Sequence, residues 1–271
     1  MAKGDSGRWR VAPGTKVDLG EIDTRSTDGA PGDKADTQEV VEGLHEELAG
    51  LQERLYAEGE RSLLVVLQAI DAGGKDGTIK HVFRGLNPAG SRVVSFKVPS
   101  EEERSHDFLW RAHAKVPGKG EVVVFNRSHY EDVLVVRVHD LVPEKVWRPR
   151  YEFINDFEAN LAAAGTRIVK LYLHISKEEQ AERFRARLDD PSKRWKFRTG
   201  DLEERKRWDD YIAAFEEAIG RTSTDHAPWY VIPADRKWYR NWAISRILIE
   251  TLEDMGPQYP PAEDLSGVEV V

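Results

Sequence analysis

Residues 63–80 read LLVVLQAIDAGGKDGTIK, and this stretch constrains the chain more than any other. An apolar run rich in Val and Leu predicts a buried strand over 63–69. The run breaks at Asp71, turns through Ala72, Gly73, Gly74 and Lys75, and enters a helix near Asp76-Gly77-Thr78. Strand, small-residue turn, lysine and helix start make the layout of a phosphate-binding loop. Glycines let backbone N–H groups approach phosphate oxygens, and the helix N-terminus adds partial positive charge. Lys75 supplies a full charge there, so Gly73, Gly74, Lys75, Asp76, Gly77 and Thr78 form the expected cradle. The match to G-x-x-x-x-G-K-S/T is partial: Ala69 replaces the first glycine, and Asp76 replaces the magnesium-binding hydroxyl.

A second strand end points to the same place. Residues 121–127 read EVVVFNR, followed by Ser128-His129-Tyr130-Glu131-Asp132. Apolar residues 122–125 suit a central parallel strand, and open parallel sheets bind ligands outside the carboxyl ends of their strands. Asn126 and Arg127 therefore emerge on the edge that carries Asp71 and Lys75. Many phosphate-loop enzymes end this strand in an acid that supports magnesium, whereas Asn126 offers only a neutral oxygen. Arg127 offers a forked donor set that neutralises phosphate charge.

The third feature is cationic. A helix starting near Ser176 carries Arg183 and Arg187 four residues apart, on one face. Pro191 ends it. Lys193, Arg194, Lys196 and Arg198 then surround Trp195 and Phe197 in a short loop. The chain is otherwise acidic, with 48 Asp and Glu against 40 Lys and Arg. A concentrated cationic loop on an acidic protein suits local capture of a polyanion and not a general nucleic-acid surface.

Taken together, these segments resemble the polyphosphate kinase 2 family. The residues that carry the resemblance are 69–78 (AIDAGGKDGT), 125–131 (FNRSHYE), Arg183-Phe184 with Arg187, and Lys193-Arg194-Trp195-Lys196. Further similar text is 95–100 (SFKVPS), 106–111 (HDFLWR) and 208–211 (WDDY), so the likeness spans roughly residues 15–255. The form Asn-Arg-Ser-His-Tyr at 126–130 is similar to the subgroup acting on both nucleoside mono- and diphosphates. The resemblance implies a phosphate-loop kinase-like three-layer α/β sandwich with a mobile lid near 189–200. It also implies Mg2+ as cofactor, inorganic polyphosphate and adenine or guanine nucleotides as substrates, and a homodimer or homotetramer. In this reading Asp71, Lys75, Arg127 and Arg187 are catalytic, and Asp71 and Asn126 sit at the metal. Asp71 either holds that metal or orients the acceptor phosphate. Arg183, Arg187, Lys193, Lys196 and Arg198 meet the polyphosphate chain. Arg111, Glu131 and Arg137 attend the nucleotide, although Arg111 and Arg137 equally suit structural salt bridges.

Composition sets outer bounds. A chain of 271 residues permits one large α/β domain or two small ones. It has no Cys, which excludes disulfides, thiolate catalysis and Cys-zinc sites and fits a reducing, cytoplasmic compartment. No apolar run approaches the roughly 20 residues that span a bilayer, and residues 1–14 lack a signal-type segment, so no membrane role is expected. The eight histidines are scattered without metal-ligand spacing.

Along the chain, residues 1–36 are polar and predict an arm wrapping the core or a disordered tail. A core domain over 37–255 and a tail over 256–271 follow. Helices are expected over 37–58 (capped by Thr37), 76–86, 101–115, 130–138, 144–164, 177–188, 202–220 and 238–255. Strands are expected over 63–69, 91–96, 121–126, 166–175 and 229–233. This alternation predicts a five-stranded parallel sheet with helices on both faces. Three activities fit the pattern: phosphoryl transfer between polyphosphate and a nucleotide, an ATP-dependent nucleoside or nucleotide kinase, and a non-enzymatic polyanion-binding protein. The basic lid favours the first.

Overall fold

Strand β1 (Ser62–Gln68) is buried at every position, and a strand covered on both faces reads as a continuous apolar run. It lies at the centre of a five-stranded sheet with β2 (Ser91–Ser95), β3 (Val122–Asn126), β4 (Thr166–His174) and β5 (Trp229–Pro233). The order is β2-β3-β1-β4-β5, with every pair parallel. A computed structural model describes residues 5–264 of the chain; the outermost parts of the expected arm and tail, residues 1–4 and 265–271, lie outside the described residues.

The helices are α1 (Lys34–Glu58), α2 (Lys75–Val82), α3 (Glu101–Ser105), α4 (Trp110–His113), α5 (Val135–Val138) and α6 (Glu144–Trp147), then α7 (Arg150–Ala163), α8 (Lys177–Asp189), α9 (Gly200–Lys206), α10 (Trp208–Thr222) and α11 (Lys237–Met255). Alternation along β4 sends Lys170 and Tyr172 to one face, where they meet Glu158 of α7 and Phe215 of α10. Helix α11 packs on α1 and also touches α2, β4 and β5. The expected strands and their order of appearance match the structure within a residue or two.

Several helix boundaries differ from the sequence reading, each for a local reason. Helix α1 begins before Thr37 because Asp33 and Asp36 form a reciprocal capping box at its start. The expected helix over 101–115 is two short pieces, since His106 is extended and stops α3. The expected helix over 144–164 is divided between α6 and α7 at Arg148 and Pro149, and a proline N has no hydrogen to donate. The segment over 202–220 starts at Gly200 and breaks at Arg207. Residues 129–132 form a 3-10 turn before α5.

Residues 9–11 lie against the core. Trp9 donates to the Tyr239 hydroxyl at 3.2 Å and packs edge-on against Trp242, while the Val11 amide donates to the Trp229 carbonyl at 2.9 Å. A polar network is buried behind the end of β3. Lys170, fully buried, donates to Glu158 at 2.5 Å, to the Thr222 carbonyl at 2.6 Å and to the Tyr130 hydroxyl at 2.9 Å. Glu158 also accepts from Tyr130 at 3.0 Å and lies 3.3 Å from His129 Nε2. Pairing of this kind offsets the cost of burying the charges.

Candidate active site

The loop after β1 is shaped by close approaches. The Gly73 amide donates to the Ile70 carbonyl at 2.9 Å, and a Cβ on Gly73 would stand 2.5 Å from that of Ala69. Gly74 has φ of 104° and begins α2 without a side-chain cap. Only glycine adopts that conformation cheaply, and it leaves the first amides of α2 without a side chain in front of them. Lys75 folds back so that its Nζ donates to the Ala69 carbonyl at 2.8 Å. Burial, and next the positive charge of Arg127, draw its ammonium down to about 8. The lysine is therefore poised over the loop, where Asp71, Glu131 and Asp76 oppose the downward shift without cancelling it.

The second strand end meets the first. Arg127 has φ of 62°, with its amide donating to the Leu67 carbonyl of β1 at 3.1 Å. This left-handed turn sends its guanidinium sideways, where Nη2 donates to Asp71 Oδ1 at 2.7 Å and Nη1 to Glu131 Oε2 at 3.4 Å. Asp71, Arg127 and Glu131 thus form one line of alternating charge. A cavity of about 240 Å³ opens beside this line. Leu134, Val135, Trp208 and Phe215 give it an apolar wall. At its polar end, Glu204 accepts from Tyr211 at 2.8 Å and lies 3.0 Å from His139 Nε2. The arrangement suits a ligand with a charged end and an apolar body.

Asn126 is tied to the first turn of α2 through its amide nitrogen, which leaves its side-chain oxygen uncommitted. Its Nδ2 donates to Asp76 Oδ1 at 3.1 Å, because Asp76, in the first turn of α2, faces the end of β3. Lys196, from the cationic loop, brings its Nζ to 4.0 Å from the other oxygen of Asp76. That loop is held by Asp190, which pairs with Lys193 at 2.5 Å and accepts from Ser192. Arg187 donates to the Lys196 carbonyl at 3.5 Å.

Spacing alone predicts that Arg183 and Arg187 share one groove; the structure separates them by depth. Arg183 is buried. It pairs with Glu179 at 2.6 Å and donates to the carbonyls of Ala72 at 3.0 Å and Ala234 at 2.6 Å. It clamps the loop from behind, while Arg187 lies with the cationic segment. Arg111 and Arg137 are both held in ion pairs, the structural alternative that the sequence left open, and neither lines the cavity. Arg111 is buried, donates to the Lys97 carbonyl at 2.8 Å and to Asp132 at 3.4 Å, and lies over the Phe96 ring. Arg137 donates to Glu217 at 2.8 Å and lies over Trp147. Of the three residues expected at the nucleotide, Glu131 alone lines the cavity.

Besides the apolar wall, sequence reasoning missed several polar residues that position or line the site. Gln180 donates to the Asp71 carbonyl at 2.8 Å and fixes the loop's entrance. His139 and Glu204 complete the cavity's polar end, and Arg240 lies under the loop. None of these sits in a motif. Tyr211 closes the WDDY segment and was legible only as similar text.

A parallel sheet in this order, with a glycine loop, a lysine and a strand-end arginine converging at one edge, defines a phosphate-loop kinase-like phosphotransferase. The polyphosphate kinase 2 family model matches residues 32–260. A Meiothermus ruber protein called AMP/ADP-polyphosphate phosphotransferase is 57% identical over 259 residues, covering 96% of this chain and 97% of the relative. An ADP-polyphosphate phosphotransferase of Rhodopseudomonas palustris is 45% identical over 265 residues, covering 93% and 91%. The crystal structure of polyphosphate kinase 2 from Arthrobacter aurescens TC1 is similar with a TM-score of 0.93 at 45% identity, covering 99% of this chain and 94% of that one. The chain belongs to the polyphosphate kinase 2 family.

Proposed function

We propose that this protein moves phosphoryl groups reversibly between inorganic polyphosphate and the nucleotides AMP and ADP. The carrying observation is the meeting of Lys75, Asp71 and Arg127 at one strand edge, with the cationic loop reaching Asp76 through Lys196. Phosphoryl transfer is mainly positioning and charge neutralisation, and these groups supply both. Lys75 and the loop amides hold one set of phosphate oxygens. Arg127, fixed between two carboxylates, faces the transferring group. Arg187, Lys193, Lys196 and Arg198 draw in the donor chain, and the cavity beside Glu131 takes the nucleotide. A nucleotide phosphate is already anionic at neutral pH, so no strong general base is required.

Mg2+ fits the donor set. Asp71 and Asp76 offer hard oxygens at the loop, and among the described residues no three acids or histidines close into a cage. Such a site suits an ion held by one or two carboxylates that takes its remaining ligands from phosphates and water. Bound there, it would neutralise charge on the transferring group. Asp71 would hold it, and Asn126, whose Nδ2 is given to Asp76, would still have its side-chain oxygen to offer as a neutral ligand. This reading includes guanine nucleotides as further acceptors, a homodimer or homotetramer, and a cytoplasmic setting. Among the described residues no helix is long and apolar enough to cross a membrane. The deciding experiment is a matrix assay with AMP, ADP, GMP and GDP, each with Mg2+ and either polyphosphate or ATP as donor. Transfer from ATP but not from polyphosphate would overturn the proposal.

Two expected outcomes belong to this arrangement. Lys75 must be protonated to hold phosphate, and it loses its proton near pH 8 in the free protein. The value of kcat/KM should therefore fall as pH rises through about 8, while the limb in kcat lies at higher pH because bound phosphate stabilises the ammonium. The same depression means the unfolded chain binds more protons above pH 8, so this lysine's contribution to stability grows with pH there. A pH-independent kcat/KM between 7 and 9.5 would remove Lys75 from phosphate binding.

The second concerns the lid. Arg187→Ala should lower the saturated rate on the order of 100-fold, if it meets the transferring end of the chain. Lys196→Ala should raise KM for polyphosphate only about two- to fivefold, as expected for an exposed and screened contact. The check is steady-state kinetics with long and short chains at two salt concentrations. Parent-like behaviour of both variants with every chain would exclude a polyphosphate lid.

A further inference from the structure

Arg240 is a buried cation with no acid to answer it. It enters from α11 and is 2% exposed. Its Nη2 and Nε donate to the side-chain oxygen of the adjacent Asn241 at 2.7 and 3.1 Å. Its Nη1 reaches the Gly74 carbonyl at a long 3.4 Å. No carboxylate among the described residues pairs with it; burial and the nearby positive charge of Arg183 draw its guanidinium down to about 9, still protonated at neutral pH. Arg183 differs in kind, because Glu179 balances its charge.

The surroundings make the position worse. The guanidinium lies against Gly74 and Gly77, at the N-terminal turn of α2, where a Cβ on Gly74 would meet Nη1 at 2.3 Å. That end of a helix carries partial positive charge, so a cation there is repelled. Burying an unpaired charge is costly in itself. One long hydrogen bond to a carbonyl does not require a charged donor. In the free protein the two hydrogen bonds to the neutral Asn241 leave the charge itself unanswered, and features of that kind are retained at sites that need them.

We infer that Arg240 is a positioning residue that holds uncompensated positive charge behind the phosphate loop, and that the bound polyanion supplies its missing counter-charge. This rests on the phosphotransferase reading above. Arg240 acts through the loop: it fixes the Gly74 carbonyl from beneath, and its field adds to that of the α2 amides and Lys75 on the open side. The effect grows with ligand charge, so a chain of several phosphates gains more from it than orthophosphate. Loop affinity is thus obtained at the expense of the empty protein's stability.

The test compares the parent, Arg240→Met and Arg240→Lys by thermal unfolding, each alone, with tripolyphosphate, and with sulfate at matched ionic strength. Arg240→Met should unfold at a higher temperature than the parent when free, yet lose most of the rise that tripolyphosphate gives the parent. Its KM for polyphosphate should rise about tenfold, more than kcat falls, as the field at the loop weakens. Arg240→Lys keeps the charge and should keep at least half of the tripolyphosphate shift. A less stable Arg240→Met that retains the full shift would overturn the inference in favour of a merely structural arginine. Loss of the shift in Arg240→Lys as complete as in Arg240→Met would also overturn it, since charge would then not be what matters. Should Arg240→Met fail to fold, Arg240→Lys decides alone by the same criterion. Thermal shifts need no turnover: a parent shifted by tripolyphosphate but inactive in every transfer assay would defeat the proposed function and leave this inference standing. An active parent with unaltered variants would do the reverse.

Discussion

Lys75→Ala should lose on the order of 100-fold or more of the saturated rate, about 3 kcal/mol of transition-state stabilisation, the usual cost of deleting a charged donor from the reacting centre. The ammonium sits over the loop, 2.8 Å from the Ala69 carbonyl, with its proton already loosened by burial and by Arg127. That loosening provides the control. A lysine whose ammonium is disfavoured by folding does not stabilise the empty protein, so the variant should unfold no earlier than the parent at neutral pH. Single-turnover and steady-state assays beside a thermal unfolding curve separate the two effects. A folded variant with near-parental turnover would remove Lys75 from the catalytic centre.

Asp71→Asn should reduce turnover on the order of 100-fold and move the midpoint of a Mg2+ titration upward by about tenfold or more. The substitution keeps size and keeps an oxygen that can accept from Arg127, now 2.7 Å from the carboxylate. What it removes is charge, and Asn126 cannot restore it because its side chain offers only a neutral oxygen. A Mg2+ titration at fixed polyphosphate and ADP is the measurement. An unchanged midpoint and rate would exclude Asp71 as a metal ligand, while an unchanged midpoint with a lost rate would leave it the second role, orienting the acceptor phosphate.

What the sequence made legible follows from which interactions are local. Strand β1 and its glycine turn are contiguous, so the loop, Lys75 and the emergence of Asp71 could be read from spacing. Central strands buried on both faces announce themselves as apolar runs, and the five expected strands stand in the expected sheet. Depth was not legible. Arg183 and Arg187 share a helical face by their spacing, yet one is consumed by carbonyls of Ala72 and Ala234 and the other lies with the cationic loop. Arg111 and Arg137 follow motifs that lead toward the site, but their charges are taken by Asp132 and Glu217, partners distant in the chain. The same holds for Gln180 and Arg240: each reaches the loop across more than a hundred residues, and nothing in its neighbourhood marks it. Thr37 lost the helix cap to Asp33 because two aspartates three apart satisfy each other's backbone amides.

The buried Lys170–Glu158 pair has a consequence for when the active edge acquires its shape. Neither charge is tolerable in an apolar interior until the other arrives, and Tyr130, which joins them, sits three residues after Arg127. Strand β4, helix α7 and the turn after β3 are therefore coupled, because separating any one of them leaves a buried polar group unpaired. Hydrogen exchange should find the amides of 128–131 opening only with the whole sheet, as slowly as those of β4. The charged line of Asp71, Arg127 and Glu131 would then be a legacy of folding, set once for each molecule rather than rebuilt at every turnover.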